Sequence, residues 1–181
     1  LSVPILPKFA MAGHEKSVAS VAFAPNDKLL ASGSADKIVK LWNMETGEIV
    51  GNLEGHTHGV SDLAWSPDSR YLCSVSDDHT MRLWDVEGGT LIRSFNGHTN
   101  YVMCTAYSPR GTIIATGSFD ESVRLWDVSR GVALKMLPAH SEPITMVDFN
   151  LDGTLLASSS YDGLTRLWDV ETSQCVKTFV D

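Results

Sequence analysis

The stretch "GHTNYVMCTAYSPRGTIIATGSFDESVRLWDVSRGVALKMLP", residues 97–138, decides the fold. "YVMCTAYS" alternates apolar and polar side chains, and "PRG" then turns the chain. "IIATGS" is an apolar run, "FDE" a tight turn and "SVRLWDV" a second run. "SRG" turns again, and "ALKMLP" closes the unit. Short runs rich in β-branched and aromatic residues, bounded by Gly, Pro, Asp and Ser, predict four strands joined by hairpins. Helical spacing of apolar residues is absent. Gly131 stands at the third turn, where a positive φ is easily accepted.

Working outward, the same unit recurs. Gly13-His14, Gly55-His56, Gly97-His98 and Ala139-His140 are spaced by 42 residues, as are Trp42, Trp84, Trp126 and Trp168. Phe23, Trp65, Tyr107 and Phe149 keep the same step, and no insertion interrupts the four copies. Pro25, Pro67 and Pro109 mark one turn, where the fourth copy has Leu151. Gly47, Gly89 and Gly131 mark another, where the fourth has Ser173. A fixed period of this length is the mark of a repeat architecture. The expected division is an N-terminal tail, 1–12, and four repeats, 13–54, 55–96, 97–138 and 139–181. Residues 7–11, "PKFAM", match the outer strand of a unit and duplicate the one at 174–180.

Composition narrows the function classes. The 181 residues are 43% hydrophobic and 20% charged, with a formal net charge of −8. An acidic chain without a basic cluster argues against direct nucleic-acid binding. No apolar run is long enough to span a membrane as a helix. The apolar start "LSVPILPKF" is short, broken by Pro4 and Pro7, and reads poorly as a signal peptide. Cys73, Cys104 and Cys175 are irregularly placed and read as reduced thiols packed as small apolar side chains. No cofactor is called for, and no metal site. His58 and His79 stand outside the repeated positions, and a His56–His58 pair is set aside because His56 is a repeat residue.

His140, Ser158 and Asp162 are the residue types of a nucleophilic triad. Their counterparts recur in every unit together with the tryptophan: His14, Ser32, Asp36, Trp42; His56, Ser74, Asp78, Trp84; His98, Thr116, Asp120, Trp126; and His140, Ser158, Asp162, Trp168. Four complete sets in register argue for a structural role, so no catalytic residue is assigned. A GxSxG elbow and a phosphate-binding loop are both missing from the sequence.

A Gly-His start, a Trp-Asp end and this period make the chain resemble the WD40-repeat family over nearly its whole length. Copy one departs at Asn43, where the others have Asp85, Asp127 and Asp169, and copy four departs at Ala139. The resemblance implies an all-β fold, a WD40 β-propeller of radial four-stranded blades. It implies that each tetrad is a buried hydrogen-bond network. Such propellers typically have seven blades, so four repeats are expected to form a partial propeller, or to close as a self-associated ring.

The words "MAGHEKSVASVAFAPN", "SVSDDHT", "GSFDESVRLWDV", "LPAHSEP" and "SSSYDGLTRLWD" are similar to the WD-repeat subunit of trithorax/COMPASS histone H3 lysine methyltransferase complexes. That likeness implies a non-enzymatic scaffold, nuclear or else cytosolic. Its partners would be methyltransferase subunits and the histone H3 tail, bound through a peptide arginine at the channel mouth. The residues it carries over are Ala35, Ser61, Asp77, Phe119, Thr145 and Tyr161, with Met103 where the family has a clamp aromatic. Gly59, Tyr101 and Pro143 precede the inner strands at the same end. Exposed Phe119 and Tyr161 are read as hot-spot aromatics.

Overall fold

The computed structural model describes residues 10–180. Among them every regular element is a strand. The first sheet runs β1 (Val18–Phe23), β2 (Leu29–Ser34), β3 (Ile38–Asn43) and β4 (Ile49–Glu54). The second is β5 (Val60–Trp65), β6 (Tyr71–Ser76), β7 (Met81–Asp85) and β8 (Thr90–Phe95). The third is β9 (Val102–Tyr107), β10 (Ile113–Ser118), β11 (Val123–Asp127) and β12 (Ala133–Leu137). The fourth is β13 (Ile144–Phe149), β14 (Leu155–Ser160), β15 (Leu164–Asp169) and β16 (Cys175–Val180). Each is an antiparallel meander in chain order. Of the expected strand at 7–11, residues 7–9 lie outside the described residues, and Ala10 and Met11 are not in a strand.

Hairpin turns fix the meanders. The third residue of each β2–β3-type turn sits at positive φ: Lys37 at 77°, His79 at 71°, Glu121 at 68° and Gly163 at 78°. Three L side chains thus occupy the left-handed region, at a cost of about 1 kcal/mol each. The turn repays this by aligning the tetrad aspartate, whose carboxylate accepts the next N–H but one, as Asp36 does from Ile38 (3.1 Å). Ser173 takes φ 62° where its three counterparts are glycine.

The innermost strands β1, β5, β9 and β13 lie side by side in that order, and the core lies between successive sheets. Ala31, Val39, Leu41 and Leu53 of the first blade meet Val60, Leu63, Trp65 and Leu72 of the second. The arc is not closed. Val21 and Phe23 are each 62% exposed, whereas their counterparts Leu63 and Trp65 are 5% and 7%. At the far end Phe179 is 43% exposed, against 2% for Phe95 at the same position of the second blade. These are flanks that a neighbouring sheet covers elsewhere in the same molecule. Cys73 and Cys104 are buried, but Cys175 is exposed on the outer strand β16, where its counterparts Ile49, Leu91 and Ala133 are exposed as well.

Each innermost strand carries a register shift near its start. Pairing passes from Val18 to Ser20, from Val60 to Asp62, from Val102 to Cys104 and from Ile144 to Met146. The skipped residues are Ala19, Ser61, Met103 and Thr145. A bulge residue has no ladder partner, and its side chain is re-aimed.

Buried tetrads and a candidate peptide-binding face

Each tetrad is one directed relay. In the first blade Trp42 Nε1–H donates to Ser32 Oγ (2.7 Å), and the Ser32 hydroxyl donates to His14 Nε2 (2.7 Å). His14 Nδ1–H donates to Asp36 (2.8 Å). The other blades repeat it through Trp84, Ser74, His56 and Asp78; Trp126, Thr116, His98 and Asp120; and Trp168, Ser158, His140 and Asp162. The donor–acceptor count assigns this tautomer: the indole can only donate, so the hydroxyl must give its proton to the imidazole. Each aspartate also accepts the backbone N–H that follows its histidine, from Glu15, Thr57, Thr99 or Ser141. Burial acts to raise these carboxyls, but the histidine bond and the backbone donors outweigh it. All four are held below the ordinary carboxylate range.

The Ser–His–Asp distances are those of a hydrolytic triad, but the hydroxyls are sealed. Ser74 and Thr116 are fully buried and Ser158 is 1% exposed. Each hydroxyl oxygen also accepts an indole N–H. A substrate carbonyl has no approach, so the geometry supports rigidity rather than acyl transfer. Among the described residues no group of His, Cys, Asp and Glu is placed to hold a metal ion.

The other sequence-predicted residues gather at one end of the inner strands. Ala35, Asp77, Phe119 and Tyr161 donate their backbone N–H groups to Ser17, Gly59, Tyr101 and Pro143 (2.9–3.1 Å). This ties the β2–β3-type turn to the entry of each innermost strand. The bulge residues lie beside it. Ser61 Oγ donates to Asp77 Oδ1 (3.0 Å), fixing that carboxylate at the rim, while Thr145 is hydrogen-bonded to Ser159 (2.9 Å). Met103 is half-buried in its bulge. Tyr161 is 67% exposed, as the sequence reading expects. Phe119 is only half-exposed, because Tyr101 packs edge-on against it at 5.9 Å and takes the more open place. His79 also packs against Tyr101, at 5.8 Å.

Asp62 escapes the sequence reading. Its Oδ1 accepts from Ser20 Oγ (2.8 Å) and its Oδ2 from Thr105 N–H (2.9 Å), so one carboxylate bridges three blades. Burial raises its pKa against the pull of those bonds. The available signal is an acid in the middle of "VSDLAW", where the sister strands carry Ser20, Cys104 and Met146.

Radially ordered four-stranded meanders, each locked by a Trp–Ser/Thr–His–Asp relay, define a WD-repeat β-propeller. The chain matches the WDR5 beta-propeller domain family over residues 10–181 and belongs to that family. Individual relatives match over one short segment. Protein Mut11 of Chlamydomonas reinhardtii is 58% identical over 38 residues, 21% of this chain and 10% of that protein. Human transducin beta-like protein 3 is 53% identical over 38 residues, 21% of this chain and 5% of its own length. Eukaryotic translation initiation factor 3 subunit I of Aspergillus niger is 47% identical over 38 residues, 21% and 11%. The chain thus aligns with about a tenth or less of each. These stretches are shorter than one 42-residue unit, so they speak of the repeat and not of any partner.

Proposed function

We propose that this chain is a non-enzymatic interaction scaffold whose rim takes an arginine-bearing peptide. In this reading it serves in the nucleus, as a core subunit of a histone H3 lysine methyltransferase complex. The supporting observation is the rim itself: four bulge residues and four turn residues meet at one end, with the Asp77 carboxylate oriented by Ser61. An oriented carboxylate suits a guanidinium, which only donates. The contact set is Ala35, Gly59, Ser61, Asp77, Tyr101, Met103, Phe119, Pro143, Thr145 and Tyr161. Met103 replaces a cation–π face with a weaker sulfur contact, so binding is expected to be weak. Calorimetry with a histone H3 N-terminal peptide on the chain within a closed propeller tests this. The expected result is binding lost on replacing the peptide's arginine by lysine, and on Tyr161→Ala. Equal affinity for the arginine and lysine peptides overturns it.

The bare flanks favour a second reading, a self-assembling propeller protein without a chromatin role. Val21 and Phe23 at one end and Phe179 at the other are the surfaces that two copies would bury head to tail. Light scattering on residues 1–181 separates the readings. This one expects an eight-bladed dimer that is lost on deleting 174–181, and a compact monomer sinks it.

A further inference from the structure

The link from β8 to β9 begins "FNGHT", residues 95–99, and holds the one Asn-Gly pair of the chain. The sister junctions read Ala12-Gly13, Glu54-Gly55 and Pro138-Ala139, so the pair belongs to this link alone. Asn96 and Gly97 are exposed and lie outside any strand. Their neighbours are anchored. Phe95 is buried edge-on to Trp126 at 5.6 Å, and His98 is buried within its relay. Packing fixes the glycine: a β-carbon at 97 would meet Arg124 Nη1 at 2.7 Å and Trp126 Cη2 at 3.1 Å.

Hydrogen bonding sets Asn96 apart from every other asparagine. The side-chain oxygens of Asn26, Asn43, Asn52, Asn100 and Asn150 accept from Lys28 N–H, Glu45 N–H, Lys40 Nζ, Tyr101 N–H and Leu155 N–H, at 2.7 to 3.1 Å. The Asn96 amide has no partner among the described residues, and neither has the Gly97 N–H. The two Asp-Gly pairs are tied at both ends. Asp152 accepts from Thr154 N–H (2.8 Å), and Asp162 from His140. Their glycines donate to Asn150 O (3.0 Å) and Ser160 O (3.2 Å). Asn96-Gly97 is thus the single pair in which carboxamide and following amide are both free to turn toward each other.

We infer that Asn96 is a modification site, where the native protein deamidates without an enzyme and accumulates isoaspartate. The Gly97 nitrogen loses its proton and attacks Asn96 Cγ. A Cγ–N bond forms, the Cγ–Nδ2 bond breaks, and ammonia leaves with the proton. Glycine puts no side chain in the way of the five-membered succinimide ring. The Arg124 guanidinium beside Gly97 favours the negative charge that develops on the attacking nitrogen and the carbonyl oxygen. Water then opens the ring. Attack at Cγ gives aspartate; attack at the main-chain carbonyl gives isoaspartate, whose chain runs on through Cβ and Cγ.

The two products differ in what they do to the blade. Aspartate adds a negative charge on an exposed side chain and leaves the backbone as it was. Isoaspartate inserts an extra backbone atom between two buried anchors, Phe95 and His98. Close packing leaves no slack there to absorb it. His98 must therefore shift against Thr116 and Asp120, which it holds at 2.8 Å each, or Phe95 must lift from Trp126. Either movement opens the relay of the third blade, and a relay missing one bond leaves buried polar groups unpaired. The pair acts as a one-way timer on the stability of this blade.

Ageing the intact, folded chain at neutral pH and at pH 9, followed by peptide mass mapping, tests this. Cleavage after Arg93 and Arg110 releases residues 94–110, which carry Asn96 and Asn100 together, so the second asparagine is an internal control. The expected result is deamidation at Asn96 ahead of every other asparagine, faster at pH 9, with isoaspartate identified by electron-transfer fragmentation. The aged parent should melt at a lower temperature than the fresh one. Asn96→Gln, which cannot close the five-membered ring, should keep its melting temperature through the same treatment. Fresh Asn96→Asp, which has the charge without the extra atom, should melt with the fresh parent. Asn96 reacting no faster than Asn100, or only after denaturation in urea, overturns the site. Isoaspartate at Asn96 with an unchanged melting temperature, or an equal loss in aged Asn96→Gln, overturns its effect on the blade.

Discussion

The tetrads and the rim share one 42-residue period but treat it in opposite ways. The tetrad positions read His, Ser or Thr, Asp and Trp in every blade, and their bond lengths agree within 0.2 Å from blade to blade, from 2.7 to 2.9 Å. The bulge positions read Ala19, Ser61, Met103 and Thr145, no two alike. A sealed relay tolerates little change, because losing one member leaves the buried polar groups of its neighbours unpaired. A bulge residue has no partner in the ladder to lose. Within a repeat protein, sameness between copies therefore reports architecture, and difference between copies reports where the copies have separate work.

The largest expected effect breaks the relay. Asp120→Ala leaves His98 Nδ1–H and the N–H groups of Thr99 and Ser122 without an acceptor. At about 1–3 kcal/mol per unpaired buried group, a loss of about 3 kcal/mol or more is expected in urea denaturation. Met103→Ala, one bulge away, should stay within about 1 kcal/mol, because its side chain is only half-buried. Equal losses for the two would erase the distinction.

Acid should act on the tetrads next. Their four carboxyls sit lower in the folded state than unfolded, so the stability they supply is complete above the ordinary value of about 3.8. It drains as pH falls from there through the lower folded values. Asp62 has the opposite sign: its raised pKa costs stability once pH climbs past 3.8. Asp62→Asn keeps two hydrogen bonds, with Oδ1 facing Thr105 N–H and Nδ2–H facing Ser20 Oγ. It should match or exceed the parent by up to about 1 kcal/mol at neutral pH, with the gain fading as pH falls toward 4 and absent below it. Denaturation midpoints across pH 3–7 check both signs.

The smallest effect sharpens the rim. Met103→Phe should tighten an arginine peptide by about 1 kcal/mol, the scale of a cation–π contact, and leave the melting temperature nearly unmoved. Calorimetry on both proteins decides; unchanged affinity removes Met103 from the site.

The contrast also explains what could be read from residues alone. His, Asp and Trp at a fixed step place the tetrads and blades directly, because a period needs no geometry to be seen. The turns were legible through Gly47, Gly89 and Gly131, and Ser173 follows them into positive φ. The bulges were not, since simple alternation in "YVMCTAYS" carries no mark of the one residue that drops out of register. The partial cover over Phe119 is hidden for a similar reason: Tyr101 is distant in sequence and comes from the entry of the same blade's inner strand. Asp62 bridges neighbours on both sides, a relation that no single unit contains.

The bulges carry a consequence for how such a chain can change over time. A substitution at Ala19, Ser61, Met103 or Thr145 shifts no neighbour's pairing, so each is a letter that can be rewritten without retyping the line. Four independent letters at one rim allow a new ligand to be reached one step at a time. Each step leaves untouched the relays that hold the blades, which are spelled elsewhere.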